Sequence, residues 1–199
     1  MSRLGVALRD IGTWLDRSKH SWALVGGLAV SARSEPRFTR DVDLALLVAD
    51  DREAESLGFF LLSQGYRVVA TVEQQAVGRL ATLRLLPPHE PEEGVVVDLL
   101  FASSGIEREV VERAEILEVL PGQSVPVART EHLIALKVLS RSPDRPQDEL
   151  DLKALLARAD SKEIGDAREA LRLIHERGFA RDRDLLAGLE EVVQRFASD

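Results

Sequence analysis

Three groups of residues in this chain have the types and spacing to do chemistry: the pair Gly26-Gly27, the Asp41-x-Asp43 doublet at the head of "DVDLALLV", and Asp98 inside "VVVDLLF". Side chains alternate faces along a strand, so Asp41 and Asp43 point one way while Val42 and Leu44 point the other. Two carboxylates on one face repel unless solvent, a cation or a shared proton relieves them. Asp98 stands between three valines and Leu-Leu-Phe, where an ionised carboxylate is costly to bury without a partner. A metal ion, shared with the other two aspartates, is the partner expected from the sequence. The glycine pair has a matching use, because glycine lets a ligand approach the backbone closely and the amides at a helix start favour a phosphate. A triphosphate chelated by magnesium needs both halves, amides for its oxygens and carboxylates for its metal. Each feature alone also reads as a turn, a solvated strand end or a paired core carboxylate. Their occurrence in this order favours the chemical reading.

These residues must be held by something, and the hydrophobic pattern supplies it. Leu4, Leu8, Ile11 and Leu15 recur at helical spacing, so residues 3–18 read as an amphipathic first helix. "SWALVGG" predicts a short buried strand that ends in the glycines, and "GGLAVSARS" a helix that opens on them. "DVDLALLV" is the next strand, and "REAESLGFFLLSQGY", preceded by Asp50 and Asp51, a capped helix ending near Gly65. "RVVATV", "LATLRLL" and "VVVDLLF" predict three more strands, separated by the polar "EQQAVGR" and the turn-rich "PPHEPEEG". After a helix at "IEREVVERA" and a short β excursion at "ILEVLPGQSVPVA", the texture becomes continuous helix. The expected fold is therefore α/β (α+β), a mixed sheet flanked by helices over residues 1–128 and a helical C-terminal subdomain over 129–199.

Composition narrows the chemistry. With 199 residues, 45% hydrophobic, the chain can bury a sizeable core. It has no cysteine, which excludes disulfides, thiolate metal sites and a cysteine nucleophile. Its four histidines lie far apart, so a histidine zinc site has no support and a hard cation on carboxylates is the metal chemistry left. The net charge of −8 argues against nucleic-acid binding through overall charge, although Arg33, Arg37 and Arg40, and later Arg141 and Arg145, form local basic patches. No apolar run approaches the roughly 20 residues that span a bilayer and the N-terminal stretch lacks a signal-peptide core, so the expected location is the cytoplasm, with no membrane partner.

"GGLAVSARSEPRFTRDVDLAL" resembles the signature of the polymerase-β-like nucleotidyltransferase superfamily, a Gly-Gly or Gly-Ser followed by Asp-x-Asp. Its Arg37-x-Thr39-x-Asp41-x-Asp43 form is similar to the AbiEii/AbiGii-type toxin branch. "LIALKVLSRSPDRPQDELDL" resembles that branch's later motif, a helix lysine followed by an arginine and then Asp-x-x-Asp, with Lys137, Arg145, Asp148 and Asp151 in those places. The resemblance covers roughly residues 20–155, and the last forty residues match only as generic helix.

The resemblance implies that Asp41, Asp43 and Asp98 bind two Mg²⁺ ions, with an NTP as donor. It implies that Gly26, Gly27, Arg37, Thr39, Lys137, Asp148 and Asp151 serve the nucleotide. Lys137 would pack its stem among Leu133, Ile134, Leu136, Val138 and Leu139 and offer its ammonium to a phosphate. Asp148 also fits as a helix cap. The branch implies a toxin of a toxin–antitoxin pair, acting on tRNA or another RNA and partnered by a cognate antitoxin. Transfer of AMP to a protein or to a small antibiotic uses the same core, and a nucleotide-binding regulatory module without turnover is the rival of another class. A basic groove leading to Asp98 would favour RNA, and an acidic pocket a cationic drug.

Overall fold

The computed structural model describes residues 2–74 and 78–197. Residues 75–77, within the "EQQAVGR" connection expected from the sequence, lie outside the described residues. Helix α1 (Arg3–Arg17) starts where Ser2 accepts a hydrogen bond from the Gly5 amide, and it buries Leu8, Ile11 and Leu15 completely. Strand β1 (Trp22–Val25) runs straight into α2 (Gly26–Arg33), and β2 (Asp41–Leu46) carries the aspartate doublet. Helix α3 (Asp51–Ser63) is capped by Asp50, whose side chain accepts from the Glu53 amide at 2.9 Å.

Strands β3 (Arg67–Gln74), β4 (Arg79–Leu86) and β5 (Val96–Leu100) follow, then the short α4 (Glu107–Glu112) and the hairpin of β6 (Glu115–Leu120) and β7 (Gln123–Val127). Four helices close the chain: α5 (Thr130–Ser140), α6 (Pro146–Leu156), α7 (Ser161–Glu176) and α8 (Leu185–Ala197). Among the described residues the strands form one seven-stranded mixed sheet in the order β3-β4-β5-β2-β1-β7-β6. None of the described helices is long and apolar enough to cross a membrane.

Two parallel pairings decide the architecture, β2 with β5 and β1 with β7, each bridged by chain that includes helix. Alternation along β2 then does the sorting: Val42 and Leu44 are fully buried, while Asp41 and Asp43 keep partial exposure on the other face. Apolar residues of α1, the central strands, α5, α7 and α8 join in one continuous core. The mixed sheet flanked by helices, expected from the pattern, is the observed fold.

Candidate active site

The β-sheet register builds the site. Val25, Asp43, Asp98 and Arg84 stand abreast on β1, β2, β5 and β4, so the side chains of the two aspartates and the arginine share one face. Asp41 lies two residues before Asp43 on that same face. A cleft of about 860 Å³ opens over this row; Gly26, Gly27, Arg37, Thr39, Asp41, Asp43, Asp98, Lys137 and Asp148 all border it. Asp151 stands just behind, buried and paired with Arg37 and Lys137. The residues singled out in the two halves of the sequence thus come together.

The glycines owe their place to their neighbours in the fold as much as to any ligand. Gly26 has φ +64°, and a Cβ there would come within 1.8 Å of the Asp43 Oδ2. Only glycine allows that backbone conformation and that approach together. A Cβ on Gly27 would meet Arg37 Nη2 at 2.5 Å and Thr39 Oγ1 at 3.0 Å. The start of α2 carries no side-chain cap, so its first amides stay available to an anion.

Asp98 has a protein partner that its own neighbourhood in sequence did not announce. Arg84 grips it with both arms, Nε to Oδ1 at 2.8 Å and Nη2 to Oδ2 at 2.6 Å. The expectation that a metal must compensate Asp98 is thereby revised: the guanidinium does so. The signal was present in "LATLRLL", where Arg84 interrupts an apolar strand. Among the described residues, Asp41 and Asp43 have no such partner. Burial, then the charges of Asp98 and Asp41, push the Asp43 carboxyl up to about 7. Burial and Asp98 likewise raise Asp41.

Lys137 sits between two buried carboxylates, 2.7 Å from Asp148 Oδ1 and 2.7 Å from Asp151 Oδ2. Asp148 also accepts from Ser140 Oγ at 3.0 Å; it occupies the first turn of α6 without capping it. Asp151 accepts from Arg37 Nη2 at 2.8 Å and from Gln147 Nε2 at 3.1 Å. Burial acts to raise the Asp151 pKa, but the hydrogen bonds from Arg37 and Lys137 hold it below the usual carboxylate range. The network ties α5, α6 and the chain leading into β2, and Arg37 passes it on by donating to the Phe38 carbonyl at 3.0 Å. Arg33 does not join the site. It pairs with Glu115 at 2.8 Å and donates to the Ala128 carbonyl, fastening α2 to the hairpin.

The donor set fits a divalent cation. Asp41 and Asp43 offer hard carboxylate oxygens, and burial together with the neighbouring carboxylates raises the pKa of both. Among the described residues no three metal-ligating side chains converge into a ready cage. Mg²⁺ needs none, since it binds through one or two carboxylates and completes its shell with waters and substrate phosphates.

Comparison with known proteins bears on the fold and the family. An antigenic nucleotidyltransferase-like protein from Paracoccidioides brasiliensis has a similar fold, with a TM-score of 0.51 at 22% identity over 94% of this chain and 92% of that one. The lincosamide antibiotic adenylyltransferase LnuA, solved with lincomycin bound, gives 0.46 at 16% identity, covering 76% of this chain and 96% of that one. The Thermotoga maritima CCA-adding enzyme, solved with tRNA, gives 0.37 at 14% over 98% of this chain and 51% of that one. No curated protein sequence matches the chain. The family model described as nucleotidyl transferase AbiEii toxin, type IV toxin–antitoxin system, matches residues 8–198, and the chain belongs to that family of nucleotidyltransferases.

Proposed function

We propose that the protein transfers a nucleoside monophosphate from an NTP to a hydroxyl of an RNA, with tRNA as a candidate acceptor, in a Mg²⁺-dependent reaction, as the toxin of a pair with a cognate antitoxin. The observation that carries this reading is the row of Asp43 and Asp98 with Asp41 beside it, on one face at the base of a cleft that also exposes the uncapped start of α2. Asp41 and Asp43 would hold the metal, which supplies charge neutralisation at the reacting phosphate. The α2 amides and Lys137 border the position of the triphosphate. Asp98, fixed in orientation by Arg84, faces the place from which an acceptor hydroxyl would arrive, as ligand or as base. In-line arrangement of donor and acceptor, with pyrophosphate leaving, is then a matter of positioning.

The rim of the cleft favours a nucleic acid over a cationic antibiotic as acceptor. Arg40, Arg145 and Arg181 border it, and Phe38, 78% exposed, stands at its edge with the Arg40 guanidinium 5.5 Å from its ring. An exposed aromatic beside an arginine suits a nucleobase, and arginines around a cleft suit phosphates. A cationic drug would meet like charge there.

The test is transfer of label from each α-labelled NTP, with Mg²⁺, to total RNA, total protein and an antibiotic panel, run beside Asp41→Asn. Label in RNA that the variant fails to transfer is the expected result. A folded Asp41→Asn protein with full activity would remove the catalytic assignment, and label confined to protein or antibiotic would replace the acceptor.

A further inference from the structure

The proposed chemistry leaves one charge problem open. Lys137 is matched by Asp148 and Asp151, Arg37 by Asp151, and Arg84 by Asp98. These three cations are therefore already engaged, and a phosphate entering the cleft calls for a further countercharge among the arginines that remain.

The loop between α7 and α8 offers it. Arg183 anchors this loop, donating to the carbonyls of Val138, Leu139 and Arg141 at 2.9, 3.0 and 3.0 Å at the end of α5. Two residues earlier Arg181 lines the cleft, with φ +54°, and Asp182 follows with φ +55°. Two consecutive left-handed residues other than glycine are strained, and strain of this kind persists only where the surroundings enforce it. Among the described residues Arg181 makes no ion pair; its one hydrogen bond is a long one, Nη2 to the Ser103 carbonyl at 3.4 Å. Arg145, on the α5–α6 loop, reaches only 3.7 Å from Asp148, whose two oxygens already serve Lys137 and Ser140. Burial first, and then the charges of Arg183 and Arg145, lower the Arg181 pKa. Elsewhere in this acidic chain arginines such as Arg3, Arg33, Arg168 and Arg177 are paired with carboxylates.

We propose that Arg145 and Arg181 form a phosphate-binding pair on the cleft rim, the C-terminal helices contributing through their loop a residue of the binding site. The inference rests on the nucleotidyl-transfer reading. The phosphate belongs either to the donor's triphosphate or to the acceptor's backbone, and binding separates the two. Purified full-length protein is titrated with a non-hydrolysable ATP analogue in Mg²⁺ and, separately, with total tRNA, using wild type, Arg181→Gly, Arg145→Gln and a distant control, Arg108→Gln. Loss of a charge-assisted contact should weaken one of the two ligands by about 10- to 100-fold in both cleft variants. Arg108→Gln, which alters an exposed pair within α4, should change neither. Weaker analogue binding assigns the pair to the donor, and weaker tRNA binding alone assigns it to the acceptor. Arg181→Gly also relieves the left-handed strain, so it should melt no lower than wild type while binding worse, which a merely structural arginine would not do. Unchanged affinity for both ligands in Arg181→Gly overturns the proposal with the transfer reading intact. Wild-type protein that binds neither ligand overturns both.

Discussion

The Asp43 carboxyl gives the sharpest test of the site's electrostatics, because its perturbation has a definite sign. Its pKa is about 7 in the folded protein against 3.8 as the ordinary value, raised by burial and by Asp98 and Asp41. A carboxyl whose folded pKa is raised binds its proton more tightly in the folded state. It favours the fold most at low pH, and that contribution is lost as pH rises from about 4 through 7. The full shift corresponds to about 4 kcal/mol. Partial exposure of Asp43 reduces this to roughly 1–2 kcal/mol of usable effect. Asp43→Asn removes the charge with little change of shape. In EDTA the variant should melt like wild type near pH 4 and about 2–8 °C higher at pH 8. Taking the difference between the two proteins cancels the other titrating groups. Mg²⁺ at pH 8 should then raise the melting temperature of wild type more than that of the variant, since cation binding discharges the same repulsion. Thermal melts by circular dichroism across pH 4–8 provide the assay. A difference that does not grow with pH, or a variant that melts lower at pH 8, would refute the argument.

Gly26→Ala should cost roughly 1–2 kcal/mol for the left-handed backbone alone, and it should further displace Asp43, whose Oδ2 would lie 1.8 Å from the new methyl. Transfer activity should fall more than stability does, which kinetics beside thermal melts would show; a fully active, equally stable variant would mean that Asp43 need not lie against Gly26. Lys137→Met should strip two buried carboxylates of their shared cation and cost about 3–5 kcal/mol, seen as a melting temperature lower by roughly 10 °C. Lys137→Met/Asp148→Asn should recover part of that loss. A single variant as stable as wild type would show that the network is not what holds α5 to α6.

Much of this was legible in the chain because the relevant signals are local. Alternation across Asp41–Leu44 places two carboxylates on one face whatever the rest of the protein does, and a glycine pair between a strand and a helix marks a tight junction by itself. The helical spacing of Leu8, Ile11 and Leu15 likewise needs no tertiary context. What stayed hidden depends on register and on loops. Arg84 and Asp98 are fourteen positions apart and meet only because β4 and β5 pair antiparallel in one particular register. A slip by one residue would send Arg84 to the opposite face. The cleft-side role proposed for Arg181 was beyond reach for another reason: the α7–α8 loop is positioned by Arg183 on the carbonyls of Val138, Leu139 and Arg141, a contact that spans more than forty residues and has no periodic signature. Lys137 was legible in part. The anion it seeks was expected to be a phosphate, and the anions beside it are Asp148 and Asp151 from the following helix.

The cleft holds two like-charge groups that its own geometry only partly lets cancel. On the floor, burial first and then repulsion among Asp41, Asp43 and Asp98 raise the Asp41 and Asp43 carboxyls, and a bound cation would oppose both effects. On the rim, burial first and then the charges of Arg183 and Arg145 lower the Arg181 pKa, and a bound anion would oppose both effects. A simple cation would relieve the floor and aggravate the rim, and a simple anion would do the reverse. A ligand that relieves both must carry a cation on one side and phosphate on the other, which is the composition of a metal-chelated nucleotide. A cationic antibiotic does not satisfy this condition by itself, so acceptor charge should be read out only with donor and Mg²⁺ present. Measured that way, tRNA binding that strengthens when the donor analogue and Mg²⁺ fill the floor would show the two halves acting as one site, whereas tRNA binding indifferent to them would place the acceptor outside the cleft.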